Sequence, residues 1–193
     1  MIVLIDNGHG ENTPGKRSPD KKLREWSYTR EIADRVVNGL RKLGVDAERI
    51  VKEDTDIPLS ERCRRANDIY RSTGKQAILV SIHCNAAGNG SDWLNAHGWS
   101  VFVSNNASAN SKRLATYLGE AAVSQRVVLR KQKPELLYWE QNLAICRDTN
   151  CPAVLTENFF QDNREDVDYL LSEKGKQIVT QIHIDGIIKY LGL

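Results

Sequence analysis

The chain has 193 residues, 40% hydrophobic and 27% charged, which suffices for one buried core and excludes a disordered or collagen-like polymer. Its 27 Lys and Arg stand against 25 Asp and Glu, so no global positive field points to nucleic acid. No stretch approaches the roughly 18 uninterrupted apolar residues of a membrane span, so a membrane partner is not expected either.

In chain order, Ile2 to Ile5 is a short apolar run that reads as a strand. The leading MIVLIDNGHG has neither a basic leader nor a small-residue cleavage site, so a signal peptide is not expected there. Tyr28 to Leu43 places Ile32, Val36, Leu40 and Leu43 on one face and predicts an amphipathic helix. A weak strand at Asp46 to Val51 and a helix at Leu59 to Tyr70 follow. Ala77 to Ile82 is a second apolar run, and Ala86 to Asn95 reads as a loop. Trp99 to Ser104 alternates Trp99, Val101 and Val103 with Ser100, Phe102 and Ser104, the pattern of a strand. A helix is expected at Ala109 to Val123, a weak strand at Arg126 to Leu129, and a solvated loop along the basic run Arg126 to Lys133. Ala153 to Thr156 is the third buried strand, and Ile178 to Leu191 a last helix. Strands alternating with helices predict a single α/β domain, its sheet largely parallel or mixed and twisted, with helices on both faces. Cys63, Cys84, Cys146 and Cys151 show no CxxC spacing, so free thiols are expected in a domain that needs no staples.

Each of the three apolar runs is closely followed by a residue able to bind or activate a metal: His9, His83 and Glu157. In an open α/β sheet such strand ends converge on one crevice, so the three together mean more than any one alone. Glu25 lies seven residues before Ile32, on the same helical face as the apolar stripe. One reading buries it and demands a cation or metal as partner; the other leaves it exposed at the helix N-terminus, favoured by the dipole. The pattern leaves both open. Two His and one Glu are a common catalytic zinc set with a position left for water, and imidazole donors suit zinc better than magnesium or calcium. Glu157 would then move protons between that water and a leaving amine.

Gly10 to Lys16, GENTPGK, has the spacing of a phosphate-binding loop. Arg17 stands where the hydroxyl ligand of magnesium is needed, Pro14 removes an amide and Pro19 delays the helix, so nucleotide binding is disfavoured. A glycosidase built on Glu25 and Glu157 would leave His9 and His83 without a purpose.

The segments IDNGHG, Glu25 opening the first long helix, ERCRRAN, SIHCNA and CRDTNCPAVLTENFFQDN resemble the zinc-dependent N-acetylmuramoyl-L-alanine amidases of bacterial cell walls. The resemblance runs from Met1 to about Leu171. It implies that His9, Glu25 and His83 hold Zn²⁺, that Glu157 is the catalytic acid/base, and that the substrate is peptidoglycan, cut between N-acetylmuramic acid and L-alanine. Asn85 and His97 are the expected substrate contacts, and His183 is expected to be structural. The implied place of action is the cell wall. A single catalytic domain over 1–193 without a separate wall-binding domain, acting as a monomer, is expected. Phe159 departs from the resemblance, since such enzymes usually carry Gly two residues after the catalytic Glu, and the ring is expected to alter the pocket. The nearest alternative is a zinc peptidase acting on another amide. A non-catalytic wall-binding module is the third reading, against which the complete set of four site residues argues.

Overall fold

Apolar runs too short for helices become the middle of a sheet. The computed structural model describes residues 1–193. Its elements in chain order are β1 (Ile2–Asn7), α1 (Glu25–Lys42), β2 (Ala47–Arg49), α2 (Leu59–Ser72), β3 (Ala77–Asn85) and β4 (Ser100–Val103). They continue with α3 (Ala109–Ser124), β5 (Trp139–Glu140), α4 (Ala144–Arg147), β6 (Ala153–Phe160), α5 (Arg164–Leu171) and α6 (Glu173–Leu191).

The strands form one six-stranded sheet in the order β2-β1-β3-β6-β4-β5. β2, β1, β3 and β6 run parallel, β4 lies antiparallel to β6, and β5 is parallel to β4. The connection from β1 leads to one side and the next strand returns to the other, so the sheet has a switch point between the carboxyl ends of β1 and β3, where α/β folds keep their ligands. Right-handed crossovers in opposite directions put α1 and α2 on opposite faces. On one face α1, α3 and α6 pack over Ile5, Val80, Val101 and Val154; on the other, α2 and α4 cover Leu4, Leu79, Phe102 and Leu155.

The expected strands and helices are present, with differences that have physical reasons. β3 continues to Asn85 and β6 to Phe160, past the apolar runs, because their paired backbones carry polar side chains equally well: His83 pairs with Glu157 before a bulge shifts the register to Asn85 and Phe160. α1 begins at Glu25, a turn earlier than its apolar stripe, and α6 at Glu173, where Ser172 caps it by accepting from the Gly175 N–H. Arg126 to Leu129 is no strand. Arg126 turns the chain at φ 59° directly after α3, and Leu129 makes only an isolated bridge to Trp99. α5, unexpected, is capped by Asn163 accepting from the Asp166 N–H. All four cysteines are free and buried, and no helix is long and apolar enough to cross a membrane.

Candidate metal centre

The turn after β1, Asn7-Gly8-His9-Gly10, is shaped by what passes close to it. A Cβ at Gly8 would overlap the His83 ring, and one at Gly10 would overlap the backbone of Asp56. Between them His9 adopts a left-handed conformation, φ 61°, which a residue with a side chain takes up only at a cost. Its ring meets that of His83 edge-on at 5.0 Å between centroids.

Glu25 resolves the two readings left open by its position: it is 0% exposed. Its Oε1 accepts the Cys84 N–H at 2.9 Å and lies 3.2 Å from His83 Nδ1 and 3.5 Å from His9 Nε2. The ligand atoms of His9, Glu25 and His83 all fall within 4.8 Å of one another. Donors bound at about 2.0–2.2 Å in tetrahedral array are themselves about 3.4 Å apart, so this spacing suits a single small ion. Glu25 Oε2 is buried with no partner. A buried carboxylate oxygen in that state is costly unless a cation completes it, and the residues therefore fit a metal ion.

Burial acts to raise the Glu25 carboxyl, but the His83 hydrogen bond, the charges of the two imidazoles and the Cys84 amide outweigh it and hold the group below its usual range. Burial pushes the His9 imidazole down to about 4, the neutral state a metal needs. Glu157 is different. Burial pushes it up to about 7, with the Glu25 charge adding and His83 opposing, and its Oε2 is also buried without a partner. Two chemically alike carboxylates are thus held in opposite protonation regimes, the pattern that separates a ligand from a proton carrier.

His9, His83 and Glu157 line a cleft of about 450 Å³ together with the apolar residues Ile57, Pro58, Leu59, Leu143, Ala144 and Ile145. Beneath it lies a polar scaffold that the sequence reading left without a role. Arg62, 2% exposed, donates to Asp6 Oδ1 at 2.7 Å, and Asp6 Oδ2 accepts from the Ser81 hydroxyl at 2.5 Å. Asn158 donates to the His83 carbonyl at 2.9 Å and accepts from the Trp99 indole at 2.7 Å, tying β6 to β3 and to the residue that leads into β4. The segment ERCRRAN contains Arg62, but an arginine among other arginines on a helix looks like a solvated face.

Asn85 ends β3 half-buried, its Oδ1 turned back to the Ala86 N–H. His97 is exposed, with Nδ1 at 3.1 Å from the Asn95 carbonyl. Neither lines the cleft. His183 is buried in α6 between Thr156 Oγ1 and the Val179 carbonyl. Phe159 takes φ 64° at the bulge, which explains why Gly is usual there, and its ring turns away from the cleft to pack on Tyr169 at 5.1 Å. Phe159 does not line the cleft.

Residues 3–189 match the family profile of N-acetylmuramoyl-L-alanine amidase. Among solved structures, the N-acetylmuramoyl-L-alanine amidase of Clostridium difficile 630 is 30% identical and superposes with a TM-score of 0.85 over 99% of this chain and 96% of its own. Among curated proteins, the endolysin of Bacillus phage SPP1 is 25% identical over all of this chain. "Probable cell wall amidase LytH" of Staphylococcus aureus is 28% identical over 97% of it. The chain spans 66% of the length of the first and 57% of the second.

Proposed function

For a chain that belongs to the N-acetylmuramoyl-L-alanine amidase family, we propose hydrolysis of the amide joining N-acetylmuramic acid to L-alanine in peptidoglycan, with zinc as the resident metal. The carrying observation is the buried, half-satisfied Glu25 carboxylate facing His9 and His83 beside a Glu157 raised to about 7. His9, Glu25 and His83 would hold the ion; two imidazoles and one carboxylate are a zinc-type donor set. When bound, zinc supplies Lewis acidity that polarises the amide carbonyl and eases ionisation of water.

The protein's own groups do the rest. Glu157 takes a proton from the attacking water as the C–O bond forms, and returns it to the alanine nitrogen as the C–N bond breaks, leaving a lactyl carboxylate and a free amine. A group poised near pH 7 is suited to both transfers. The apolar residues that line the cleft, from Ile57 to Leu59 and from Leu143 to Ile145, would reduce the water around the reacting centre. Asn85 and His97 would contact more distant parts of the substrate. All four site residues come from one chain, so a monomer suffices, and the place of action is the cell wall.

Digestion of purified peptidoglycan, with products identified by mass spectrometry, tests this. Stem peptides with a free L-alanine amino terminus are expected, abolished by chelator and restored by zinc. New reducing sugar ends would identify a glycosidase, and cuts within the stem a peptidase; either would contradict the proposal.

A further inference from the structure

The carbonyl of His9 is held from two sides. Arg30 Nη1, on α1, donates to it at 3.1 Å, and Arg62 Nη2, on α2, at 3.2 Å. Arg30 and Arg62 are 6% and 2% exposed. A buried guanidinium must satisfy its donors. Arg30 Nη1 also donates to the Trp26 carbonyl at 2.9 Å, and Arg62 Nη1 to Asp6 Oδ1 at 2.7 Å and the Asn7 carbonyl at 2.6 Å; both side chains then reach the segment 53–57. Arg30 reaches the Glu53 carbonyl through Nε at 3.2 Å and Nη2 at 2.6 Å, and the Asp54 carbonyl at 3.4 Å. Arg62 reaches the Ile57 carbonyl at 2.7 Å and Asp56 Oδ1 at 3.0 Å. Residues Asp56 and Ile57 line the cleft.

Two fork-shaped cations from helices on opposite faces of the sheet thus meet at one peptide oxygen. That oxygen belongs to the residue whose left-handed backbone must be held against its own preference if its imidazole is to stand beside Glu25. We propose that Arg30 and Arg62 form a guanidinium clamp on the His9 carbonyl, positioning residues that preorganise His9 as a metal ligand and tie it to the cleft lining. The proposal rests on the metal reading of His9, Glu25 and His83. Its chemistry is that of partners that orient a ligand without touching the metal, whose loss weakens affinity about 10–100-fold. The clamp acts on the ligand's backbone rather than on its second ring nitrogen.

Zinc affinity, measured by competition with a chromogenic chelator, reads this without recourse to activity. Arg30→Met is the first variant, because Arg30 bonds mainly to carbonyls and its one carboxylate neighbour, Asp54, is 68% exposed, so no buried charge is orphaned. Arg62→Lys is the second; it keeps a cation against Asp6 but loses the fork. Arg65→Met is the control, since Arg65 bonds the Glu53 carboxylate and the Ile50 carbonyl of the same stretch but not His9. Melting in excess chelator establishes that each variant is folded. The expected result is zinc binding about 10–100-fold weaker in the two clamp variants, with Arg65→Met at the wild-type value. A folded Arg30→Met that binds zinc as tightly as wild type overturns the clamp alone, as does an Arg65→Met that loses as much affinity as Arg30→Met. A wild type that binds no zinc overturns the metal reading and the clamp together.

Discussion

His9 and Phe159 share a left-handed backbone, at φ 61° and 64°, for unlike reasons. His9 must carry an imidazole where glycine would sit more easily, whereas Phe159 stays because its ring is buried against Tyr169 in the larger core cluster. Phe159→Gly should relieve about 1–2 kcal/mol of backbone cost but forfeit the larger value of a buried ring, about 3–5 kcal/mol. A net loss of about 2 kcal/mol in urea unfolding is expected, with activity preserved because the ring does not line the cleft; a gain in stability would show that strain outweighs packing. His183 makes a pH prediction. Burial pushes its imidazole down to about 4 from the ordinary 6.5. Between those values the unfolded chain binds more protons than the native one, so stability rises with pH. The contribution is fully present above about 6.5 and is lost as pH falls toward 4. In chelator, His183→Gln should therefore flatten the slope of melting temperature between pH 4 and 6.5. An unchanged slope would assign that acid sensitivity elsewhere.

At the scale of elements, the sequence reading was strongest where burial leaves a simple mark. Three apolar runs located β1, β3 and β6, and the residues just beyond them, His9, His83 and Glu157, do converge on one cleft. All three strands outrun their apolar runs, β1 to Asn7, β3 to Asn85 and β6 to Phe160, because a polar residue in a paired strand looks like a loop when the partner strand is unseen. Glu25 was legible as an inward position from the spacing to Ile32 and Val36, but its burial depended on where α1 starts, which the pattern alone placed at Tyr28. Arg30 and Arg62 were not legible. Most of their acceptors are backbone carbonyls, among them those of His9, Asn7 and Glu53 more than 20 residues away, and carbonyls leave no trace in a sequence. The same crowding gives a prediction for the β1 turn: Gly8→Ala should leave the sheet folded at a cost of about 1–3 kcal/mol while displacing the His83 ring and lowering zinc content. Elemental analysis decides it, and full zinc occupancy in Gly8→Ala would contradict the close packing of that turn on His83.

At the scale of the whole molecule, the three donor residues come from the β1 turn, the first turn of α1 and the end of β3, so one ion would join a helix layer to the centre of the sheet. Binding to the native state alone should raise stability by about 2.7 kcal/mol at a hundredfold excess over the dissociation constant, or roughly 5–10 °C in melting temperature for a chain of this size. His9→Ala should lose that zinc-dependent shift, and retention of it would place the ion elsewhere. The most direct measurement compares zinc content and single-turnover hydrolysis of peptidoglycan in wild type, Glu25→Ala and Glu157→Gln. Glu25→Ala should lose metal and activity together, while Glu157→Gln should keep its zinc and turn over about 10²–10⁴-fold more slowly. A Glu157→Gln that loses its metal, or that hydrolyses at the wild-type rate with metal bound, would contradict the division of roles between the two carboxylates.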